Sequence, residues 1–159
     1  MERIERGGLP FCPVHQVGVV VRDLQRAMDY YSSLFGIGPF RPLNVTTVDR
    51  IIYGNPAPNV SNLSRVTRLG PVQLELIQPI SGESIQREFL QRRGEGINHL
   101  GFFVEDLERE VAGMMVKGFT AISTGRFTSG GGFAYFDTSR FGGVLFELVQ
   151  WPPEEDPER

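Results

Sequence analysis

The most constraining feature of this sequence is an internal repeat. QVGVVVRDL at residues 16–24 is matched by HLGFFVEDL at residues 99–107, and LELIQP at residues 74–79 is matched by FELVQW at residues 146–151. The two halves therefore begin with similar segments and also end with similar segments. A chain of 159 residues suits two such units in one compact domain. If the two units pack face to face, their equivalent side chains come together.

Each half has the same predicted order of elements, namely a strand, a helix and three more strands. The opening strands are rich in β-branched or aromatic residues, as strands commonly are. Each is followed by an aspartate, Asp23 or Asp106, which is a suitable helix N-cap. Apolar residues then recur at helical spacing until Gly36 or Gly118. We predict an α+β fold of two βαβββ modules.

The module boundaries follow from this order. The first module covers residues 11–80, a linker helix covers 81–95, the second module covers 96–151, and a flexible tail covers 152–159. Within the first module, strands are predicted at residues 40–53 and 64–69. A loop rich in glycine, proline and asparagine separates them.

Two glutamates occupy matching places in the closing strands of the modules. Leucines flank Glu75, and Phe146 and Leu148 flank Glu147. Because alternate residues of a strand share a face, each carboxylate faces away from its apolar neighbours, towards solvent or a polar cavity. One such glutamate alone would favour solvent, since burial of an unpaired carboxylate is costly. Two in equivalent positions, each with an opening strand that carries a ligand-type residue, favour a shared site.

The opening strands offer His15, Gln16 and His99 as further ligand candidates. His99 lies seven residues before Asp106, and Gln16 lies seven residues before Asp23, so Gln16 is the counterpart of His99. His15 then faces the other side, because a one-residue step changes the face of a strand. A local bulge would restore His15 to the site. A purely structural role for His99 is the remaining alternative.

This set of side chains predicts a metal site shared by the two halves. The ligand candidates are Gln16 or His15, together with Glu75, His99 and Glu147. Imidazole or amide ligands combined with two carboxylates suit a borderline divalent ion. The predicted cofactor is one divalent metal ion, Zn, Ni, Co, Mn or Fe.

These residues resemble the vicinal oxygen chelate superfamily, which includes glyoxalase I, methylmalonyl-CoA epimerase, extradiol dioxygenases and the bleomycin and fosfomycin resistance proteins. The resemblance covers about residues 14–151. Its more discriminating segment includes SIQREFLQRRGEGINH at residues 84–99, which is most similar to the epimerase branch. The resemblance implies a cup-shaped mixed sheet that encloses one divalent metal.

The resemblance also implies a chemistry. In the epimerase and in glyoxalase I, a metal binds a carbonyl oxygen and a carboxylate removes the proton next to it. The Gln, Glu, His, Glu set resembles the eukaryotic form of glyoxalase I. By this resemblance Glu147 is the first choice of catalytic base, with Glu75 as its partner. The expected function is a metal-dependent isomerase or lyase, epimerase-like or lactoylglutathione lyase-like, acting on a small carbonyl or thioester substrate.

The sequence departs from the epimerase pattern after the first helix. The epimerase family carries a second acid–base glutamate there, whereas residues 41–69 contain no glutamate and only one acidic residue, Asp49. Two other functions are therefore considered. An extradiol-type dioxygenase would need His15 at its iron, which two histidines and one carboxylate hold. A non-enzymatic resistance protein that binds a small molecule would lack the metal set.

Composition and charge limit the kinds of partner and the location that we expect. A net charge of −3 does not favour nucleic-acid binding, which usually needs a basic surface. The chain has no run of about 18 apolar residues that would span a membrane, and its start lacks the apolar core of a signal peptide. The single cysteine, Cys12, fits a reducing compartment. We expect a cytoplasmic protein without nucleic-acid or membrane partners and, from the resemblance, a homodimer.

Overall fold

The computed structural model of this chain describes residues 13–155. They form an α+β fold around one ten-stranded mixed sheet, which confirms the predicted class. The elements, in chain order, are β1 (Gln16–Val20), α1 (Leu24–Phe35), β2 (Arg41–Pro42), β3 (Thr47–Ile52), β4 (Asn55–Pro56), β5 (Ser61–Leu69), β6 (Val72–Ser81), α2 (Ile85–Arg93), β7 (Gly96–Phe103), α3 (Leu107–Val116), β8 (Ala121–Phe127), β9 (Gly132–Phe136) and β10 (Leu145–Gln150).

The order of strands in the sheet reflects the repeat. It runs β2-β5-β6-β1-β7-β10-β9-β8-β3-β4. β1 and β7, the two opening strands, lie fourth and fifth in this order as an antiparallel pair. β1 pairs in parallel with β6, and β7 pairs in parallel with β10, so each opening strand lies beside the closing strand of its own half. The two halves are thus related by an approximate twofold arrangement about the β1–β7 pair.

A short connection shows that this sheet is curled into a cup. β2 is the first strand of the order and β3 is the ninth, yet only residues 43–46 separate them in the chain. In a flat sheet, eight strand spacings of about 4.8 Å would place them about 38 Å apart. The connecting chain, at about 3.5 Å per residue, spans less than about 20 Å. The two edges must therefore approach each other, which confirms the predicted cup.

The prediction of one continuous strand at residues 40–53 is wrong. β2 pairs with β5 near one edge of the sheet, whereas β3 pairs with β8 near the other edge. Pro42 ends β2, because a proline has no amide hydrogen to donate to the ladder. β3 consequently joins the strands of the second half. The connection between β2 and β3 passes beside a cavity, which Leu43 and Val45 help to line.

The two predicted helix N-caps are confirmed. The side chain of Asp23 accepts a hydrogen bond from the backbone amide of Arg26, and Asp106 accepts one from Arg109. Gly36 ends α1 in the left-handed conformation, with φ of 66°, as glycine does without steric cost. Equivalent caps therefore start the first helix of each half at equivalent positions.

Three apolar clusters connect the sheet with the helices. The cluster beneath α1 includes Leu24 and Leu76, and the cluster beneath α3 includes Met114 and Leu148. The linker helix α2 contributes Ile85 to a third cluster, whose aromatic side chains also line the cavity. With α1 and α3 packed on the convex face, the concave face is left to form the cavity.

Residues 1–12 and 156–159 lie outside the described part of the chain. They include Cys12, the first two residues of the predicted first module and the second half of the predicted flexible tail. Within residues 13–155, no helix combines the length and the apolar character needed to cross a bilayer.

Candidate metal centre

Four side chains from the two halves meet on the concave face of the sheet. They are Gln16 on β1, Glu75 on β6, His99 on β7 and Glu147 on β10, and we call them the ligand cluster. Nε2 of His99 lies 3.1 Å from Oε2 of Glu147, 3.2 Å from Oε1 of Gln16 and 3.5 Å from Oε2 of Glu75. The relative exposure of these residues is 6 % or less. The fold therefore brings together the residues that the repeat pairs.

Two glycines of the repeat make room for the cluster. Gly18 lies opposite His99 across the β1–β7 pair, and Gly101 lies opposite Gln16. A Cβ on Gly18 would overlap the imidazole ring of His99. A Cβ on Gly101 would lie 2.9 Å from Oε1 of Gln16, closer than real Cβ contacts. The glycine that follows each ligand candidate by two residues thus accommodates the other ligand candidate.

The same two glycines fix the position of the glutamates. Glu75 on β6 lies opposite Gly18, and Glu147 on β10 lies opposite Gly101. Directly opposed residues of neighbouring strands share a face of the sheet. Both carboxylates therefore extend over a glycine towards the middle of the concave face, where no intervening Cβ blocks them.

Two neighbouring amides orient the ligand candidates. Nε2 of Gln16 donates a hydrogen bond of 2.6 Å to Oε1 of Gln73, which leaves Oε1 of Gln16 directed at His99. Nδ1 of His99 lies 3.2 Å from Oδ1 of Asn98. A proton on Nδ1 satisfies this contact and leaves Nε2 available to a cation. Partners of this kind hold metal ligands in place and select the imidazole tautomer.

The cluster concentrates negative charge in a buried environment. Burial alone would lower the pKa of His99, but the carboxylates of Glu147 and Glu75 outweigh it and raise this pKa to about 9. Burial raises the pKa of Glu147, although His99 opposes that shift. Two carboxylates thus face one imidazole in a buried site, so a bound divalent cation would stabilise the cluster.

The donors present fit a divalent metal. Ligand atoms of Glu75, His99 and Glu147 all lie within 4.8 Å of one another. Three side-chain oxygens face one imidazole nitrogen, which carries at most one hydrogen and cannot satisfy them all. One nitrogen with carboxylate and amide oxygens is a suitable set for Zn, Ni, Co, Mn or Fe.

His15, the alternative first ligand, does not join the cluster. Its Nδ1 accepts a hydrogen bond of 3.0 Å from the backbone amide of Phe103, and the two rings stack with centroids 4.9 Å apart. The irregularity in the β1–β7 pairing falls between Gly18 and Val19, after His15 and Gln16. Strand alternation therefore keeps His15 on the face opposite to Gln16, and this corrects the alternative in which a bulge returns His15 to the site.

The ligand cluster lies on the wall of a cavity of about 220 Å³. Its walls also include aromatic and cationic side chains, namely Phe127, Phe133, Tyr135, Trp151, Arg50 and Arg65. Tyr135 lies directly opposite Glu147 in the β9–β10 pair. Burial, together with the charges of Glu147 and Glu75, raises the pKa of the Tyr135 phenol well above its usual value. The hydroxyl therefore keeps its proton at neutral pH.

Comparison with known proteins shows the family to which this chain belongs. Residues 15–136 match the sequence profile of the Glyoxalase/Bleomycin resistance protein/Dioxygenase superfamily. The chain belongs to this superfamily. The resemblance to the vicinal oxygen chelate proteins is thereby confirmed.

The individual proteins that resemble this chain are distant in sequence. The uncharacterized protein YqjC of Bacillus subtilis (strain 168) is 25% identical over 138 residues, which are 84% of this chain and 89% of that protein. A Streptomyces coelicolor methylmalonyl-CoA epimerase in complex with 2-nitronate-propionyl-CoA has a TM-score of 0.65 and 21% identity, covering 91% of this chain and 98% of its own. The methylmalonyl-CoA epimerase of Mycobacterium tuberculosis has a TM-score of 0.61 and 24% identity, covering 94% and 96%. At these identities the solved structures show the shared fold.

Two residues in or beside the site, Gln73 and Arg50, were missed by the sequence predictions. Gln73 could have been found, because it lies two residues before Glu75 and so shares its face of the strand. Arg50 carried no local signal, since its direction depends on the pairing of β3 with the other half of the sheet.

Proposed function

We propose that this chain is a divalent-metal-dependent isomerase or lyase that transfers a proton next to the carbonyl group of a small molecule. The observation that carries the proposal is the convergence of Gln16, Glu75, His99 and Glu147 on the wall of one cavity. Superfamily membership supports it, and so does the shared fold with methylmalonyl-CoA epimerases.

The four cluster residues would hold the metal. When bound, a divalent ion would supply Lewis acidity that polarises a carbonyl oxygen and so acidifies the neighbouring C–H bond. The burial of the four side chains favours tight binding, because exclusion of water strengthens the attraction between the ion and the carboxylates.

Glu147 is the proposed base, and Glu75 is its proposed partner. Burial raises the pKa of Glu147, which makes its carboxylate a stronger proton acceptor than an exposed glutamate. The protonated hydroxyl of Tyr135 lies beside it in the sheet. Aromatic walls around the cavity limit the access of water to the reacting atoms.

Proton exchange offers a direct test. Metal-loaded protein in D₂O is incubated with methylmalonyl-CoA or with the hemithioacetal of methylglyoxal and glutathione, and loss of the C–H signal next to the carbonyl is followed by proton NMR. We expect exchange in the wild type and at least a hundredfold slower exchange in Glu147→Gln. Glu83→Gln, which removes an exposed carboxylate, should match the wild type.

Two results would count against this function. Protein that retains no divalent metal after loading and desalting would favour a non-enzymatic binding protein. Full exchange activity in Glu147→Gln would remove the proposed base. The extradiol alternative receives no support from the geometry, because only one histidine, His99, belongs to the cluster among residues 13–155.

We also propose that the chain is a homodimer, as expected from the family resemblance. Large apolar side chains on the surface support this proposal, among them Val116 at 89% and Phe141 at 82% relative exposure. Light scattering coupled to size-exclusion chromatography should give twice the mass of one chain at micromolar concentration. A monomer mass over that range would refute it.

A further inference from the structure

Arg50 is a charged group of the cavity for which the proposed proton transfer gives no role. It lines the same cavity as Glu75 and Glu147 and is partly buried. Within residues 13–155, no carboxylate lies within 4.0 Å of its guanidinium, and that group makes no hydrogen bond. Arg65, the other arginine on the walls, already donates to the backbone carbonyl of Ser64. Arg50 is thus the cavity arginine whose guanidinium remains available to a ligand.

The backbone is shaped to direct Arg50 inwards. In the β3–β8 pair, Val48 lies opposite Arg126 and Ile51 lies opposite Thr124, so two residues of β3 face one residue of β8. The extra residue makes a β-bulge, and Asp49 adopts the left-handed conformation with φ of 50°. A bulge shifts the alternation by one residue, so it turns Arg50 towards the cavity rather than towards solvent. Bulges often re-aim a side chain next to a functional site.

The neighbouring strands hold the guanidinium in this place. Its Cζ lies 5.2 Å from the centre of the Phe133 ring, a cation–π distance. Phe133 in turn packs against Gly125, the single residue opposite the bulge, where a Cβ would come within 2.6 Å of the ring. Burial lowers the pKa of Arg50, whereas Tyr135 and Glu147 raise it. The guanidinium is therefore positioned and partly dehydrated without a bonded anion.

A second donor lines the same cavity. The indole Nε1 of Trp151 is buried and has no hydrogen-bond acceptor among the described residues. Buried donors normally have partners, and each exception calls for an explanation. A ligand with an acceptor group would satisfy both the indole of Trp151 and the guanidinium of Arg50. Two unpartnered donors on one cavity wall point to an anionic ligand.

We propose that Arg50 binds the carboxylate of the substrate, so that the substrate is a small carbonyl compound that is also an acid. The planar guanidinium fork matches a carboxylate, which can accept two parallel hydrogen bonds. A volume of 220 Å³ is about seven times the ~30 Å³ share of one water molecule, which suits a short acid or the acyl part of a longer thioester. Arg50 would then orient the carbonyl group towards the ligand cluster. This inference rests on the proposed function for its carbonyl, whereas the acid-binding step is independent of the metal.

Binding to metal-free protein tests the acid site separately from the metal site. Trp151 is the only tryptophan of the chain, so its fluorescence reports on the cavity. We expect pyruvate to give a saturable change in this fluorescence and pyruvamide, its neutral analogue, to give none at equal concentration. Arg50→Gln should weaken pyruvate binding at least tenfold, and Arg50→Lys should weaken it less. Arg126→Gln removes the same charge from the neighbouring strand and should bind as the wild type does.

The outcomes separate this inference from the proposed function. Equal binding of pyruvate and pyruvamide, unchanged binding by Arg50→Gln, or equally tight binding of inorganic phosphate would overturn the assignment of a carboxylate site. Circular dichroism and metal titration show whether Arg50→Gln is folded, and Arg50→Lys retains the cation if it is not. Acid binding through Arg50 in protein that takes up no metal would support this inference while the proposed function fails. Metal uptake without acid binding by the wild type would refute this inference and leave the proposed function intact.

Discussion

Substitution of Gly18 by alanine should displace His99 from the candidate metal centre by direct steric overlap. The new methyl group would occupy space that the imidazole of His99 fills, whereas ordinary van der Waals contacts lie at 3.4–4 Å. The ring would have to move by about 1 Å or more, yet metal–ligand distances tolerate only about 0.2 Å. We expect metal affinity to fall at least a hundredfold, which is about 2.8 kcal/mol. Isothermal titration of zinc into metal-free protein measures this loss.

The same substitution should destabilise the fold by a moderate amount. Overpacking of a filled site costs about 1–3 kcal/mol, and each kcal/mol lowers the melting temperature by about 2–4 °C in a chain of this size. Gly101→Ala is the matched variant, because its methyl meets Gln16 at 2.9 Å rather than overlapping a ring, so its effect should be smaller. In a His99→Ala background, Gly18→Ala should cost little, since the clash is gone. Normal zinc binding by Gly18→Ala, or an equal loss of stability in both backgrounds, would refute the predicted clash.

Three further predictions concern the surroundings of the cluster. In metal-free protein the pKa of His99 is raised from 6.5 to about 9, so its stabilising contribution is complete below pH 6.5 and is lost as the pH rises to about 9. The melting temperature should fall across that window, and saturating zinc should remove the fall; a melting temperature that rises instead contradicts this. Gln73→Leu should lower zinc affinity by about ten- to a hundredfold, because the amide of Gln16 loses the partner that orients it; unchanged titration curves would show that Gln16 needs no such partner. His15→Ala should leave zinc affinity unchanged while lowering the free energy of unfolding by about 1–2 kcal/mol, since it removes a hydrogen bond and a stacked ring; loss of metal in this variant would return His15 to the site.

The arrangement of the ligand cluster could be predicted because it depends on local periodicity. Side chains alternate along a strand, so alignment of the two halves on Asp23 and Asp106 was enough to pair Gln16 with His99. The glycine two residues after each of them belongs to the same pattern, and its steric purpose becomes visible only in the structure. The fold class followed from the same repeat, since two similar units must share one core.

The cavity wall opposite the cluster could not be predicted, because it depends on contacts between distant segments. Pro42 was a local sign that the strand predicted at residues 40–53 would break, but no local sign showed where β3 would pair. Its pairing with β8 results from closure of the sheet, and the bulge at Asp49 changes which residues of β3 face inwards. The direction of Arg50 is therefore a property of the folded sheet rather than of its own sequence neighbourhood.

The twofold arrangement of the halves is broken in a way that supports unequal roles for the two glutamates. Val66 lies opposite Glu75 in the sheet, whereas Tyr135 lies opposite Glu147. Arg50 reaches the side of the cavity where it is influenced by Glu147 and Tyr135. Identical carboxylates in different environments are the usual means by which one site obtains groups with different proton affinities. Glu147 thus has a hydroxyl and a guanidinium near it, whereas Glu75 lies opposite the apolar side chain of Val66. This difference supports the proposal of Glu147 as the base.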